Sequence, residues 1–575
     1  MNTKSAGHLL VECLVEQGVD VAFGVPGESF LDVLDGFYAH RDRIRFVACR
    51  QEGGAAFMAE AHGKLTGRPG VCIVTRGPGA TNAAIGVHTA FQDSTPMVLL
   101  VGDVGGDFRD REAFQEIDFA VMFGPSCKGM AKRVERIDDG DRVPEYVQRA
   151  FATAMNGRPG PVVLVLPEDM LTRPTTSRPS GRVAPSRPAL AQDDLGALKA
   201  LLQGASRPLV ITGGGWSPAA ATDLQQFAEA WHLPVGNAFR FQDAFDNHHP
   251  LYAGDIGIGV SPKLAQRVRD SDLILAIGAR LGEMTTSGYT LLDVPRPKQK
   301  LVHVHVSAEE LNRVYHADLA INASSAAAAA ALATLVPERT VRWAGWSDSA
   351  NEDYLAHIAA ATYTGDLPRP DATEPVDMPT IIGILQRLLP QDAVIANGAG
   401  NFASWIHRFY RFHGVAKGHK TQLAPTVGAM GYGVPAGIAA NLVTGRIAFT
   451  IAGDGDFLMN GQELATAAQY GAKSIILVLN NGMYGTIRMH QERHYPERVS
   501  GTTLSNPNFC ELARAYGYEA VQVGRTADFE RALSEALGRD RGTLIEIPLS
   551  PQVLTTGPTL DQIRAEGLKL HALQP

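Results

Sequence analysis

The stretch 449–485, FTIAGDGDFLMNGQELATAAQYGAKSIILVLNNGMYG, runs an apolar strand into a Gly-Asp-Gly turn and, one helix later, a second buried strand into Asn-Asn-Gly. The interval from Asp454 to Asn481 holds one helix and one strand, the spacing that returns a chain to the neighbouring position at the same end of a parallel sheet. Gly453 and Gly455 are expected to let the backbone turn sharply and leave Asp454 facing outward, uncrowded. Asp454 then offers a carboxylate, Asn481 an amide oxygen and Met483 a main-chain carbonyl at the Gly482 turn. These are hard oxygen donors of the kind Mg2+ takes, with water or phosphate completing its shell. A helix beginning after Gly455 would point N–H groups at such a phosphate. Alone, Gly-Asp-Gly is also an ordinary strand-to-helix connection; the second turn at matching distance is what favours a metal.

Outward from this stretch, short β-branched runs alternate with helical patterns, as in GVCIVTRGPGATNAAIGVHTAFQDSTPMVLLVGDV, which predicts an α/β fold of parallel sheets between helices. The proline-rich segment 172–190 continues neither helix nor inner strand, so a linker is placed near 171–190. A second unit starts at RPLVITGGGW and ends near SSAAAAAALATLV, the alanine run reading as a helix. TGDLPRPDATEP precedes a third unit opening at MPTIIGILQRLLP. The expectation is three consecutive doubly wound parallel-sheet domains, 1–170, 190–337 and 376–550, with a tail at 551–575. In such sheets ligands sit at the carboxyl ends of strands.

The composition is that of an ordinary globular protein, and a net charge of -8 without lysine or arginine runs argues against nucleic acid and for a small-molecule substrate. Five scattered cysteines form neither a zinc nor a disulfide framework, and the N-terminus reads as an amphipathic helix followed by a strand, not a cleaved leader. A cytoplasmic protein with no membrane segment is expected.

Together the two turns resemble the magnesium and diphosphate motif of thiamine-diphosphate-dependent enzymes. ACRQEGGAAFMAEAHGKLTG, 48–67, is similar to that family's catalytic-glutamate segment, which implies that Glu52 protonates the cofactor's aminopyrimidine. By itself Glu52 is equally a dipole-placed acid at a helix start. PTVGAMGYGVPAGIAA, 425–440, resembles the segment that bends the cofactor, with Met430 as the wedge and the Gly428 carbonyl receiving the pyrimidine amino group; Met430 reads otherwise as core filler. TRGPGATNAA, 75–84, resembles a cofactor loop through Gly79 and Asn82, although a turn and helix cap would look the same. Gly453, Gly455 and Tyr484 complete the implied cofactor contacts. Because Glu52 and Asp454 lie in different domains, the resemblance implies a site between subunits, hence at least a homodimer, with a homotetramer expected.

The resemblance is to the acetolactate-synthase-like branch, carried by GPGATN, FQDSTPMVLLVGDV, AFQEIDF and GRPGPVVLVLPEDM in order. It implies a carboligase that decarboxylates a 2-oxo acid and passes the acyl unit to a second carbonyl. Gln115 matches the carboligase pattern as a substrate-side amide, while Glu28, in FGVPGESFLDVLDGF, stands where decarboxylases of the family carry a proton-relaying acid. Glu28 thus leaves simple 2-oxo acid decarboxylation, or another lyase or acetyltransferase reaction, as the alternative; it also reads as a solvated loop acid. His490 occupies the place of a tryptophan in biosynthetic relatives and either meets a polar acceptor or lies on a solvated helix face. GARLGEMTTSGYTLL lacks the pattern of flavin-containing relatives, so FAD is not expected. A non-catalytic cofactor-binding regulator is the remaining class, and Glu52 speaks against it.

Overall fold

The computed structural model describes residues 3–124, 129–359 and 376–572. Among them are three six-stranded sheets whose ladders are all parallel, the α/β arrangement expected. The first has the spatial order Arg45–Ala48, Val21–Gly24, Gly70–Val74, Met97–Asp103, Pro161–Pro167, Arg133–Arg136. The third runs Gln422–Leu423, Val394–Asn397, Ala448–Gly453, Ile475–Asn480, Thr543–Pro548, Glu519–Gln522. Ranked along the chain within each unit, both read second, first, third, fourth, sixth, fifth, so the outer units share one topology. The middle sheet, Tyr252–Ile256, Val235–Ala238, Pro208–Thr212, Leu273–Ile277, Lys300–His305, Leu319–Asn322, instead has the dinucleotide-fold order third, second, first, fourth, fifth, sixth.

The outer units share a core. The helix Glu52–Thr66 carries Gly53, Gly54, Ala55, Ala56, Ala59 and Ala61 along its first three turns and is buried from Gly53 to Gly63. It lies against Gly77–Asp93 of its own unit and Gly433–Thr444 of the third, where Phe57 meets Tyr432 edge-on at 5.3 Å. Beneath that contact, Glu60 accepts from Tyr432 Oη (2.5 Å) and Thr95 Oγ1 (2.7 Å), and Asp93 pairs with Lys64 while accepting the Thr426 N–H (2.8 Å). The network binds the Glu52 helix to segment 424–432, which carries Gly428 and Met430.

Three readings of the chain change. Regular structure persists into the supposed linker, with a helix Glu168–Thr172 and a short strand Pro174–Thr175 pairing antiparallel with Lys4–Ser5. The middle unit does not stop at 337: a helix Ala344–Ala359 packs on it, Trp343 stacking on Trp231 at 6.4 Å and Tyr354 meeting Tyr252 at 4.7 Å. The tail contains a helix Leu560–Ala572 lying on Gly485–His494, held by Arg564 on the buried Glu492 (Nε 2.9 Å, Nη2 3.0 Å). Gly567 permits this approach, since a Cβ there would press on the Glu492 carbonyl. The alanine run is a helix, Ser325–Leu332. The segment TGDLPRPDATEP and Cys127 lie outside the described residues.

At Gly86 a Cβ would overlap Ala56, whose carbonyl carbon would lie 2.8 Å away. Gly86→Ala is therefore expected to cost about 1–3 kcal/mol through overpacking between the helices that carry Glu52 and Asn82. That outweighs the ~1 kcal/mol alanine contributes to a helix interior. A raised thermal unfolding midpoint in this variant would contradict the account.

Candidate active site

In the third sheet the strand order reverses between Val394–Asn397 and Ala448–Gly453, the place where an open parallel sheet leaves a crevice at its carboxyl ends. Asp454 begins a helix, Asp454–Asn460, at that point and is 3% exposed. Its Oδ1 accepts from Gly455 N–H (3.0 Å), and its Oδ2 from Gly482 N–H (2.8 Å) and Asn506 Nδ2 (2.7 Å). Burial raises its pKa, while Asn506 and the backbone donors pull it back down. The asparagine turn is thereby tied to the aspartate, and Asn480 Oδ1 also accepts from Asn506 (3.0 Å). Met483 bridges Thr503 through its neighbours, Tyr484 N–H to Thr502 O (2.9 Å) and Leu504 N–H to Gly482 O (2.8 Å). In an antiparallel bridge of this kind the central carbonyl takes no part, so that of Met483 is left for another partner. Asn481 Oδ1 meets only the Met483 N–H at a long 3.3 Å.

The two glycines act differently from expectation. Neither has positive φ. A Cβ at Gly453 would lie 2.8 Å from the Phe402 ring and one at Gly455 2.6 Å from the Tyr484 ring. Their missing side chains make room for those rings, and Tyr484 rests on the Gly-Asp-Gly turn. Positive φ appears instead at Gly428 (70°) and Gly431 (77°), which hold the half-buried Met430 in a non-helical turn. Asn460 Nδ2 on the Gly431 carbonyl (3.0 Å) fastens that turn to the Asp454 helix.

Sequence reasoning passed over three residues here. Asp456 is buried, its carboxyl pushed up to about 7 by desolvation, and its Oδ1 accepts from both Ala399 N–H (3.0 Å) and Gly431 N–H (2.9 Å). It joins the Gly398–Asn401 loop to the Met430 turn. Asn506 orients Asp454, and its own buried Oδ1 has no protein partner. Glu463, 0% exposed, accepts the N–H groups of Arg50 (3.1 Å) and Gln51 (3.0 Å) just ahead of Glu52. The sequence signal for Asp456 and Glu463 was their place in the opening stretch; Asn506 gave none.

The first sheet reverses between Val21–Gly24 and Gly70–Val74, and its candidate residues gather at those strand ends. Glu52 starts its helix, half-buried, with Oε2 accepting from Asn82 Nδ2 (2.9 Å). A Cβ on Gly79 would lie 3.6 Å from Glu52 Oε1. Gly79 and Asn82 are not loop and cap residues, because the helix Gly77–Asp93 already encloses them. Gln115, at φ 64°, accepts the Gly77 N–H on its backbone oxygen (3.0 Å). Glu28 lies 3.6 Å from Arg76. The structure thus brings Glu52, Gly79 and Asn82 together, and separately Asp454, the Asn481–Tyr484 turn, Gly428 and Met430. His490 stands apart, in a cleft of about 550 Å³ with Ile487, Arg493, His494, Tyr495 and Leu570.

Elsewhere, Asp246, His248 and His413 bring ligand atoms within 4.8 Å of one another. The two rings lie face to face at 4.3 Å and Lys417 is 3.8 Å from Asp246, so the group is not arranged for a cation.

Two groups of candidate residues thus stand at the carboxyl ends of the outer sheets, one with an acid on a helix start and one with a buried aspartate at a strand end. Family models for the thiamine pyrophosphate enzymes match along the chain: the N-terminal TPP binding domain at 4–122, the central domain at 195–332 and the C-terminal TPP binding domain at 398–547. The acetolactate synthase large subunit of Parasynechococcus marenigrum is 31% identical over 95% of this chain and 87% of its own length. That of Corynebacterium glutamicum is 31% identical over 92% and 84%, and the isozyme 2 large subunit of Escherichia coli 28% over 94% of each. The chain belongs to the thiamine-diphosphate-dependent enzymes, in their acetolactate-synthase-like branch.

Glu463→Ala is expected to strip the acceptor from the Arg50 and Gln51 N–H groups, costing about 1–3 kcal/mol, and to slow turnover by loosening the Glu52 helix start. Glu463→Gln, which keeps one oxygen, should lose less of both. Equal loss in the two variants, by unfolding and steady-state rates, would count against this.

Proposed function

We propose that this chain is a Mg2+-dependent carboligase that decarboxylates a 2-oxo acid and transfers the remaining acyl unit to a second carbonyl compound. The observation that carries the metal half is the buried Asp454 carboxylate, fixed by Gly482 and Asn506 beside an unengaged Met483 carbonyl. With the Asn481 amide these supply the oxygen set Mg2+ takes, leaving positions for diphosphate and water. Bound thiamine diphosphate supplies a nucleophilic carbon that no amino-acid side chain offers. Glu52 would exchange a proton with the ring of the bound cofactor, and Asn82 holds its carboxylate in place. Met430, in a non-helical turn between Gly428 and Gly431, would be the apolar side chain against the cofactor, and the Gly428 carbonyl would be the acceptor for its amino group. Gly79, Gly453, Gly455 and Tyr484 shape the walls, while Gln115 and Glu28 face the substrate.

The acid and the metal ligands that serve one cofactor come from two chains in this proposal, making a homodimer the working unit and a homotetramer a pair of them. No flavin is assigned to the middle unit. Where its strand order reverses, Gly214 N–H bonds to the Gly278 carbonyl (3.0 Å) and Ser325 Oγ to the Gly214 carbonyl (2.9 Å), so the loops flanking the crevice touch. No helix among the described residues is long and apolar enough to cross a membrane; a cytoplasmic location is our reading from the cysteine pattern. Aldehyde release is retained as a second reading because the Glu28 side chain is 72% exposed at the first crevice.

The deciding experiment is a screen of 2-oxo acids with thiamine diphosphate and Mg2+, reading carbon dioxide and organic product by mass spectrometry. Acetolactate from pyruvate supports the carboligase, and acetaldehyde alone supports the second reading. Glu52→Gln should slow turnover by about 10²- to 10⁴-fold; near-normal turnover at saturating cofactor sinks its role. Asn506→Ala should raise the Mg2+ concentration needed for half-maximal activity by about 10- to 100-fold, as lost support of a ligand does.

A further inference from the structure

Arg240 is a cation that the middle unit buries without giving it an acceptor. It follows Val235–Ala238, which with Tyr252–Ile256 forms one edge of the middle sheet, a strand away from the reversal. Its backbone is left-handed, φ 68°, a conformation that arginine rarely adopts and that gathers at ligand clamps. The guanidinium lies over the Phe239 ring at 4.7 Å. Its Nε is buried with no partner, and neither Nη makes a hydrogen bond or ion pair among the described residues. Burial pulls its pKa down to about 10. A fold keeps a desolvated, unpaired cation only at a high cost in stability. Phe241, the next residue, sets its ring against Gly214 at the reversal, where a Cβ would lie 2.9 Å from it, and covers that crevice.

Two more groups that feel the charge of Arg240 have polar atoms in the same condition. Asp255 stands opposite Asn237 in the ladder, and its Oδ1 is buried and unpartnered. Burial pushes its carboxyl up to about 7, with Arg240 pulling it back, yet the two form no ion pair among the described residues. The third group is His407, on the helix Ala403–Phe409 of the third unit. Its Nδ1 lies 2.6 Å from Gln242 Oε1, which also accepts from Gln422 Nε2 (2.9 Å), while Gln242 Nε2 donates to the His407 carbonyl (2.7 Å). With Gln242 oriented so, Nδ1 carries the proton and the buried, unpartnered Nε2 is an acceptor. Burial and the Arg240 charge push the His407 pKa well below its usual value, so the ring is neutral.

We propose that Arg240, Asp255 and His407 form a binding site for a small oxyanion that also carries a hydroxyl, hydrogen phosphate or a 2-hydroxy carboxylate, at the seam of the middle and third units. The guanidinium fork takes two oxygens of the anion. The ligand's hydroxyl donates to His407 Nε2, and Asp255, when protonated, donates to a remaining oxygen. The helix that carries His407 follows the Gly398–Asn401 loop, which Asp456 joins to the Met430 turn, so the ligand links the middle unit to the unit of Asp454. The inference does not depend on the carboligase reading.

The test is calorimetric titration of the full-length protein, loaded with thiamine diphosphate and Mg2+, with inorganic phosphate and with lactate. Sulfate and acetate serve as the matching anions without a hydroxyl. Binding of phosphate or lactate is expected, and which of the two binds identifies the oxyanion. Its hydroxyl-free counterpart should bind about tenfold or more weakly, as loss of one well-placed hydrogen bond does. Arg240→Met should weaken binding by about 10- to 100-fold, the effect of losing hydrogen bonds to a charged group, and Arg240→Lys, a charge without the fork, by less. Without added anion, Arg240→Met should unfold at a higher midpoint than the wild type, because it removes an unpaired buried charge. The bound anion should raise the midpoint of the wild type and not of this variant. If the methionine variant does not fold, Arg240→Gln takes its place in the titration. No binding of either phosphate or lactate overturns the proposal, as does equal affinity in the wild type and the uncharged variant. A lowered midpoint in Arg240→Met at unchanged anion affinity assigns the arginine to packing alone, and equal affinity within each pair of anions removes the role given to His407; either result also overturns it.

Discussion

A parallel sheet has to send every crossover back to the same end, and where the strand order reverses two successive crossovers leave on opposite faces. The gap between them is the one part of the sheet edge that the fold does not cover. In both outer units the reversal falls between the first and third strands in chain order, and the two groups of candidate residues gather around these gaps. Asp454 and the Gly398–Asn401 loop flank one; Glu28 and the start of the helix Gly77–Asp93 flank the other. The positions of the chemistry follow from topology before any side chain is considered.

What topology leaves open is how the two ends are held relative to one another, and here packing decides. The Glu52 helix can lie close to Gly77–Asp93 because small residues meet there, Ala56 against Gly86, which lets backbones approach closely. Its N-terminus is fixed by Glu463 from the third unit and its middle by the Glu60–Tyr432 bond, so one chain's acid and the same chain's Met430 turn move as a single body. If each chain lends its acid to one site and its metal ligands to another, this rigid link runs between two sites, and tolerance for slack in it is small.

The sequence made the sheets and the Asp454 to Asn481 pair legible because both are local: a strand, a turn and a helix are written in consecutive residues, and the return distance is a matter of counting. The same locality misled for Gly453 and Gly455, whose glycine character answers to rings of Phe402 and Tyr484 that arrive from elsewhere in the chain. Asn506 was invisible for a related reason. An asparagine after a loop has no pattern around it, and only the fold shows that its amide spans Asp454 and Asn480. Helices Ala344–Ala359 and Leu560–Ala572 were missed as parts of their neighbours because weakly amphipathic segments declare a partner only once the partner's surface exists.

The common strand order of the outer units gives a physical reason for a site made of two unlike halves. A cofactor with an anionic tail and a basic ring asks for a hard cation site at one end and a carboxyl at the other, and those demands conflict within a single crevice. A carboxylate near bound Mg2+ is held ionised and cannot exchange protons freely, while a metal ligand that is protonated loses the metal. Two copies of one topology, joined through a shared core, separate the demands: the third unit keeps its aspartate buried among N–H donors, and the first keeps Glu52 with a single amide partner in a more open setting.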